Sequence, residues 1–168
     1  MSQVIICDTG PLIHLSEANA IHLLRLAGGI LIPPTVAAEF SKNLPNSEFP
    51  EWVEVGELST RSRSQIQQWV KKELIGVGEA EAIGLAIQQH SNWLLTDDAQ
   101  ARQFAENLGL EVHGSIGVLL WAVASGYVGN RAEAYQTLAA LKRSSLWISD
   151  RVMSEAARAI DELTSSRS

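Results

Sequence analysis

The chain has 168 residues, 46% of them hydrophobic and 19% charged, which is enough apolar material for one globular domain and too little length for two unrelated ones. Thirteen Lys and Arg against nineteen Asp and Glu give a formal net charge of -6, so nucleic-acid binding by bulk positive charge is not the default, although a basic groove on an acidic protein stays open. The one cysteine, Cys7, rules out an intramolecular disulfide. The opening MSQVIICDTG lacks the basic and apolar regions of a signal peptide, and no apolar run is long enough for a membrane span. A cytoplasmic protein with no membrane partner is expected.

The first apolar run, Val4 to Cys7, is short and β-branched and stops at Asp8-Thr9-Gly10-Pro11, which predicts a buried strand carrying an Asp at its C-terminal end. Leu12, Leu15, Leu23, Leu24 and Leu26 predict one or two amphipathic helices ended by Gly28-Gly29. Ile30 to Ile32 reads as a second strand, Pro33-Pro34-Thr35 opens a helix carrying Val36, Glu39 and Phe40, and residues 43–50 read as a loop. Trp52 to Val55 alternates weakly like a strand, and 59–74 has helical spacing on Ile66, Trp69, Val70 and Leu74. The small-residue helix from Glu79 to His90 contains Gly84, which implies close packing against another backbone.

Trp93 to Thr96 is the next predicted strand and it too ends on acid, at Asp97-Asp98. Ala99 to Leu108 predicts a helix stopped by Gly109, Leu110 to Val112 a short strand, and Ser115 to Ala124 an apolar helix stopped by Gly126. Two further helices are expected over 130–163 and a frayed end over 165–168. No repeat or linker divides the chain, so residues 1–128 read as a core and 129–168 as a helical extension packed on the same domain. Strands alternating with helices predict an α/β fold with a central parallel sheet covered on both faces, whose ligands collect at the carboxyl ends of the strands.

Two carboxylates at such ends raise each other's pKa unless a cation or a proton lies between them. Oxygen-only ligands suit hard ions, so an acidic cluster points to Mg²⁺ or Mn²⁺, whereas Zn²⁺ normally brings His or Cys. The candidates are Asp8, Glu39, Glu79, Glu81, Asp97 and Asp98. Spacing alone assigns only the two strand-end positions. The alternative is that Asp8 and Asp97 simply cap the helices after their strands.

Residues 4–13, VIICDTGPLI, resemble the opening strand and helix start of PIN-domain proteins, in which the Asp is the first metal ligand and the following Ser or Thr supports it. Val36-Ala37-Ala38-Glu39-Phe40 is similar to the helix bearing the family's second acid, residues 78–86, GEAEAIGLA, to the third, and Leu94-Leu95-Thr96-Asp97-Asp98 to the strand-end fourth. The likeness extends over residues 4–127 to a prokaryotic PIN-like branch with a DD-x-x-x-R element, here Asp97, Asp98 and Arg102, and a glycine-rich segment over 114–119. Each motif alone is unspecific, and their order along the chain carries the resemblance. Where many PIN domains have Asp at the third position, this chain has Glu79 with Glu81 beside it.

The resemblance implies a three-layer α/β/α fold and metal-dependent hydrolysis of RNA, with Asp8, Glu39, Glu79 and Asp97 as catalytic residues and metal ligands. The common Thr-x-Asp spacing would select Asp98 as the fourth ligand instead; the branch pattern favours Asp97. An RNA substrate, Mg²⁺ or Mn²⁺ and an antitoxin protein partner go with this reading, as the toxin half of a prokaryotic toxin–antitoxin pair. The four carboxylates are then expected on one cleft, with raised pKa values in the absence of metal. Competing readings are a PIN-like module that binds RNA or protein without cleaving, and a structural α/β domain. The occupied acidic positions argue against a decayed site.

Thr9 could hold Asp8 or serve as an ordinary helix cap. Arg61, Arg63, Lys71 and Lys72 with Trp69 could grip a phosphate backbone, but a solvated helix face with Trp69 in the core is the preferred reading. Arg102 could face the acidic site, or form an (i, i+4) ion pair with Asp98. Cys7 reads as a core residue, and His14, His22, His90 and His113 lack metal-binding spacing and receive no role. Trp52, Trp69, Trp93, Trp121 and Trp147 read mostly as core or interface. Leu119, Leu120, Trp121 and Val123 suit either a homodimer contact or burial within the monomer.

Overall fold

The computed structural model describes residues 3–43 and 49–167; of the expected loop over 43–50, residues 44–48 lie outside the described residues, as does Ser168. Five strands, β1 (Val4–Cys7), β2 (Gly29–Ile32), β3 (Val53–Val55), β4 (Trp93–Leu95) and β5 (Val112–His113), form one sheet in the order β3-β2-β1-β4-β5. Every pairing is parallel. Because strands two and three lie on one side of β1 and strands four and five on the other, the winding reverses between β1 and β4. Ile6 of β1 pairs with Leu94 of β4, so the residues just after both strands emerge side by side at that reversal.

Alternation along the strands sorts their side chains into two cores. Ile5, Cys7, Ile30, Ile32 and Leu95 face one core, packed by α1 (Thr9–Glu17), α2 (His22–Ala27), α3 (Pro34–Asn43) and α7 (Ser115–Ala124). Ile6, Leu94 and Val112 face the other, packed by α4 (Thr60–Lys71), α5 (Val77–Gln89) and α6 (Ala99–Asn107). The result is the three-layer α/β/α arrangement expected of a parallel sheet whose strands are apolar on both sides. Ala134 and Leu138 of α8 (Arg131–Arg143) and Ala156 and Ile160 of α9 (Asp150–Thr164) belong to the same core as Ile5 and Leu12.

Three local expectations need correction. Leu110 does not open β5, because its N–H closes the end of α6 on the Ala105 carbonyl; the short strand is Val112–His113, with Leu94 N–H donating to the Glu111 carbonyl and Thr96 N–H to the His113 carbonyl. Gly84 meets a side chain rather than a backbone: an added Cβ would lie 2.7 Å from Cδ1 of Ile66 on α4. The C-terminal end is not frayed over Ser165–Arg167, which forms a 3-10 turn, with Ser165 Oγ donating to the Glu162 carbonyl. At the end of α2, Gly28 has ordinary extended φ but sits so near the chain start that a Cβ would fall 2.5 Å from the Gln3 carbonyl oxygen. Only glycine allows that approach.

Candidate active site

Asp8 follows β1, and its N–H donates to the carbonyl of Leu95 at the end of β4 (2.9 Å), which fixes the first acid against the strand that delivers Asp97. Its Oδ1 accepts from Thr9 N–H at 2.8 Å and its Oδ2 from the Thr96 hydroxyl at 3.0 Å. Thr9 also donates its hydroxyl to Glu39 Oε2 at 2.6 Å, so one residue ties the strand-end acid to the acid of α3. Glu79 stands in the first turn of α5, and neither a hydrogen bond nor an ion pair engages its carboxylate among the described residues. A Cβ on Gly78 would come within 3.1 Å of Glu39 Oε1, which makes that glycine the floor against which Glu39 lies. Asp8, Glu39, Glu79, Asp97 and Asp98 line one open cleft of about 380 Å³ together with His14 and Trp147.

The two adjacent aspartates are used differently. Asp98 is exposed and caps α6, its Oδ1 accepting from Ala101 N–H at 2.7 Å. Asp97 is therefore not the cap; its Oδ1 accepts from Ser115 N–H (2.7 Å), and its Oδ2 from the Ser115 hydroxyl (2.5 Å) and lies 2.7 Å from His14 Nδ1. Asp8, by contrast, is the N-cap of α1 and a cleft residue at once. Glu81 turns away from the cleft: it is buried and takes hydrogen bonds from both the hydroxyl and the N–H of Thr35, holding the start of α3.

The electrostatics follow these partners. Burial, with the charges of Glu79 and Glu39, raises Asp8 to about 6 even though Thr9 and Thr96 hydrogen-bond to it. Asp97 departs from the expectation of raised values. Burial pushes it up, but the hydrogen bonds from His14 and Ser115 outweigh that penalty and leave it below the ordinary carboxylate range. Cys7, fully buried beneath the site, is pushed well up by burial and by the charges of Asp8 and Asp97, as an inert core thiol should be.

The donor set is of the type a hard divalent ion takes: carboxylate oxygens, with no Lys or Arg ion-paired to any of the five acids among the described residues. It is not a closed cage. Among the described residues no three His, Cys, Asp or Glu side chains are gathered tightly enough to hold one ion as they stand. Several oxygens are already engaged: both of Asp97 by Ser115 and His14, both of Asp8 by Thr9 and Thr96, and Oδ1 of Asp98 by its helix. Among the described residues the oxygens left without a hydrogen bond are both of Glu79, Oε1 of Glu39 and Oδ2 of Asp98.

The other candidates fall elsewhere. Trp69 is buried against Phe104, with ring centroids 5.3 Å apart, and Arg61 lies with it along a separate groove beside α4 and α5, so this basic cluster does not border the acids. The Arg102–Asp98 ion pair does not form among the described residues; Arg102 instead faces a hollow next to Asp97 and Gly114. Leu119 and Val123 are fully buried within the monomer, and Leu120 and Trp121 pack partly buried against the same core. Sequence reasoning missed His14, Ser115 and Thr96 as partners of the aspartates. A signal existed for Ser115 in the glycine-rich segment over 114–119, and none for the His14 contact, which spans 83 positions of sequence.

An all-parallel α/β sheet with acids from two strand ends and two helices on one cleft at its switch point defines the class of protein. A PIN-domain family model, DUF3368, matches residues 4–162, and the chain belongs to the PIN-domain family. The match extends through α8 and most of α9, beyond the residues that carry the motifs. Membership places the chain in a nuclease-type superfamily whose members generally use divalent metals. Among curated proteins none matches the chain. No helix among the described residues is long and apolar enough to cross a membrane.

Proposed function

We propose that the cleft hydrolyses RNA phosphodiester bonds with Mg²⁺ or Mn²⁺ bound. The observation that supports this reading best is the delivery of Asp8, Glu39, Glu79 and Asp97 from β1, α3, α5 and β4 to one cleft in a PIN-domain chain. Asp8, Glu39 and Glu79 would hold the ion, Glu39 and Glu79 through oxygens that take no hydrogen bond among the described residues and Asp8 through the lone pairs left by Thr9 and Thr96, and Asp97, oriented by Ser115 and His14, would join the set. When bound, such an ion makes water nucleophilic near neutral pH and stabilises the departing oxygen. Thr9 keeps Asp8 and Glu39 in mutual register, and a bound cation would offset the burial and the charges of Glu79 and Glu39 that raise Asp8.

The toxin role and its antitoxin partner rest on the likeness to the prokaryotic PIN-like branch. The chemistry is tested by incubating a structured and an unstructured RNA with wild-type protein and with Asp8→Asn purified in parallel, each with Mg²⁺, Mn²⁺ or chelator. Cleavage should require the metal and fall at least about 100-fold in Asp8→Asn, because the charge that holds the ion is gone. Equal cleavage by both proteins would remove the catalytic role of Asp8 and favour a binding module.

A further inference from the structure

Four of the five tryptophans are buried or half-buried: Trp69 packs on Phe104 and Trp93 on Trp121, while Trp52 lies against the core. Trp147 is different. Its side chain is 84% exposed, and it has no hydrogen bond, ion pair or ring partner among the described residues. It sits in the connection between α8 and α9, on the rim shared by the carboxylate cleft and a second hollow of about 380 Å³. That hollow also carries Arg102, among the described residues the one Lys or Arg lining either cavity and free of any ion pair.

The connection is built to hold a ring in place. Ile148 is buried immediately after Trp147 and Leu146 packs partly buried before it. Ser145 donates its hydroxyl to Glu17, Leu146 N–H donates to Ser144 Oγ, and Lys142 Nζ donates to the Ile148 carbonyl. The backbone of so anchored a loop displays the indole, and among the described residues no hydrogen bond, ion pair or ring contact holds it.

We infer that Trp147 is a stacking platform for an unpaired base adjoining the phosphodiester in the carboxylate cleft, with Arg102 meeting the neighbouring phosphate, so that these two residues set how tightly this chain holds a single strand. This rests on the ribonuclease reading of the cleft. A chain of net charge -6 has no bulk positive field to hold RNA, so affinity must come from local contacts. Stacking supplies it without regard to sequence because every base has a π-face, and a duplex, whose bases are already stacked, cannot use it. Trp147 borders the carboxylate cleft and a hollow in which Arg102 lies beside Asp97, an arrangement that suits a strand with its scissile phosphate in the cleft and its next phosphate at Arg102.

The test uses the full chain with Asp8→Asn, so that RNA is held without being cut, and a fluorescein-labelled ten-nucleotide RNA, either single-stranded or annealed to its complement. Trp147→Ala should weaken single-strand binding about tenfold, Trp147→Phe should restore most of it, and duplex binding should not change. Arg102→Met should weaken binding and flatten its salt dependence. Cleavage of the same strand is followed in the Asp8 background. If the parent binds the single strand and Trp147→Ala binds it equally well, the platform is wrong while the nuclease stands. If Trp147 governs binding but the Asp8 protein never cleaves, the platform stands and the ribonuclease reading fails. Loss of self-association in Trp147→Ala, with RNA binding unchanged, would make the ring a protein contact and overturn the inference.

Discussion

Asp8 is a buried acid surrounded by acids, and its folded value of about 6 lies above the ordinary 3.8. Between about pH 4 and pH 6 the folded state therefore holds a proton that the unfolded chain has released. Stability from this group is full below about pH 4 and is lost as pH rises through about 6, a loss on the order of 3 kcal/mol when no metal is present. Asp8→Asn keeps the shape and removes the charge. In chelator the variant should melt above wild type at pH 7.5, and the two curves should converge near pH 4; thermal unfolding followed by circular dichroism checks this. Asp97 has the opposite sign: held low by His14 and Ser115, it contributes stability above its ordinary value that is lost as pH falls through its folded one. At this scale Asp8 was legible as a strand-end acid, but the sequence left capping and cleft readings open, and the structure shows it in both places. The difference between Asp97 and Asp98 was not, since adjacent residues share every sequence signal and are separated only by which one Ser115 and His14 reach.

The helices and strands were mostly readable because their patterns are strong: β-branched runs for the strands, glycine stops for α6 and α7, whose Gly109 and Gly126 take positive φ. β5 shifted because backbone pairing to β4 and the closure of α6 decide a two-residue strand, and neither leaves a mark in hydrophobic pattern. Glu81 shows the same limit. Two glutamates two apart on α5 look alike in sequence, yet the helix turns one to the cleft and the other to Thr35 of α3. The contact of α4 with α5 rests on the missing side chain of Gly84, where a Cβ would lie within 3 Å of both Cγ1 and Cδ1 of Ile66. Gly84→Ala should therefore destabilise the fold by about 1–3 kcal/mol despite the better helix propensity of alanine. A urea titration reads it; an unchanged or raised midpoint would mean that Ile66 re-packs freely.

On the scale of the whole molecule, the switch between β1 and β4 gathers acids that lie up to 90 positions apart in sequence into one cleft. The parallel sheet and its two covering layers follow from alternating elements, so the location of the site at the strand ends was legible before any geometry was known. What was not legible is the long-range part: the connection before α9 that brings Trp147 over the cleft, and the pairing of His14 with Asp97. The central claim is that this cleft binds a divalent metal. It is tested most directly by soaking crystals of the wild-type protein in millimolar Mn²⁺ and collecting anomalous diffraction at the manganese edge. A peak between the carboxylates of Asp8, Glu39 and Glu79, absent from Asp8→Asn crystals treated in the same way, is the expected result. An empty cleft at that concentration, or manganese bound only at surface acids away from it, would contradict the claim.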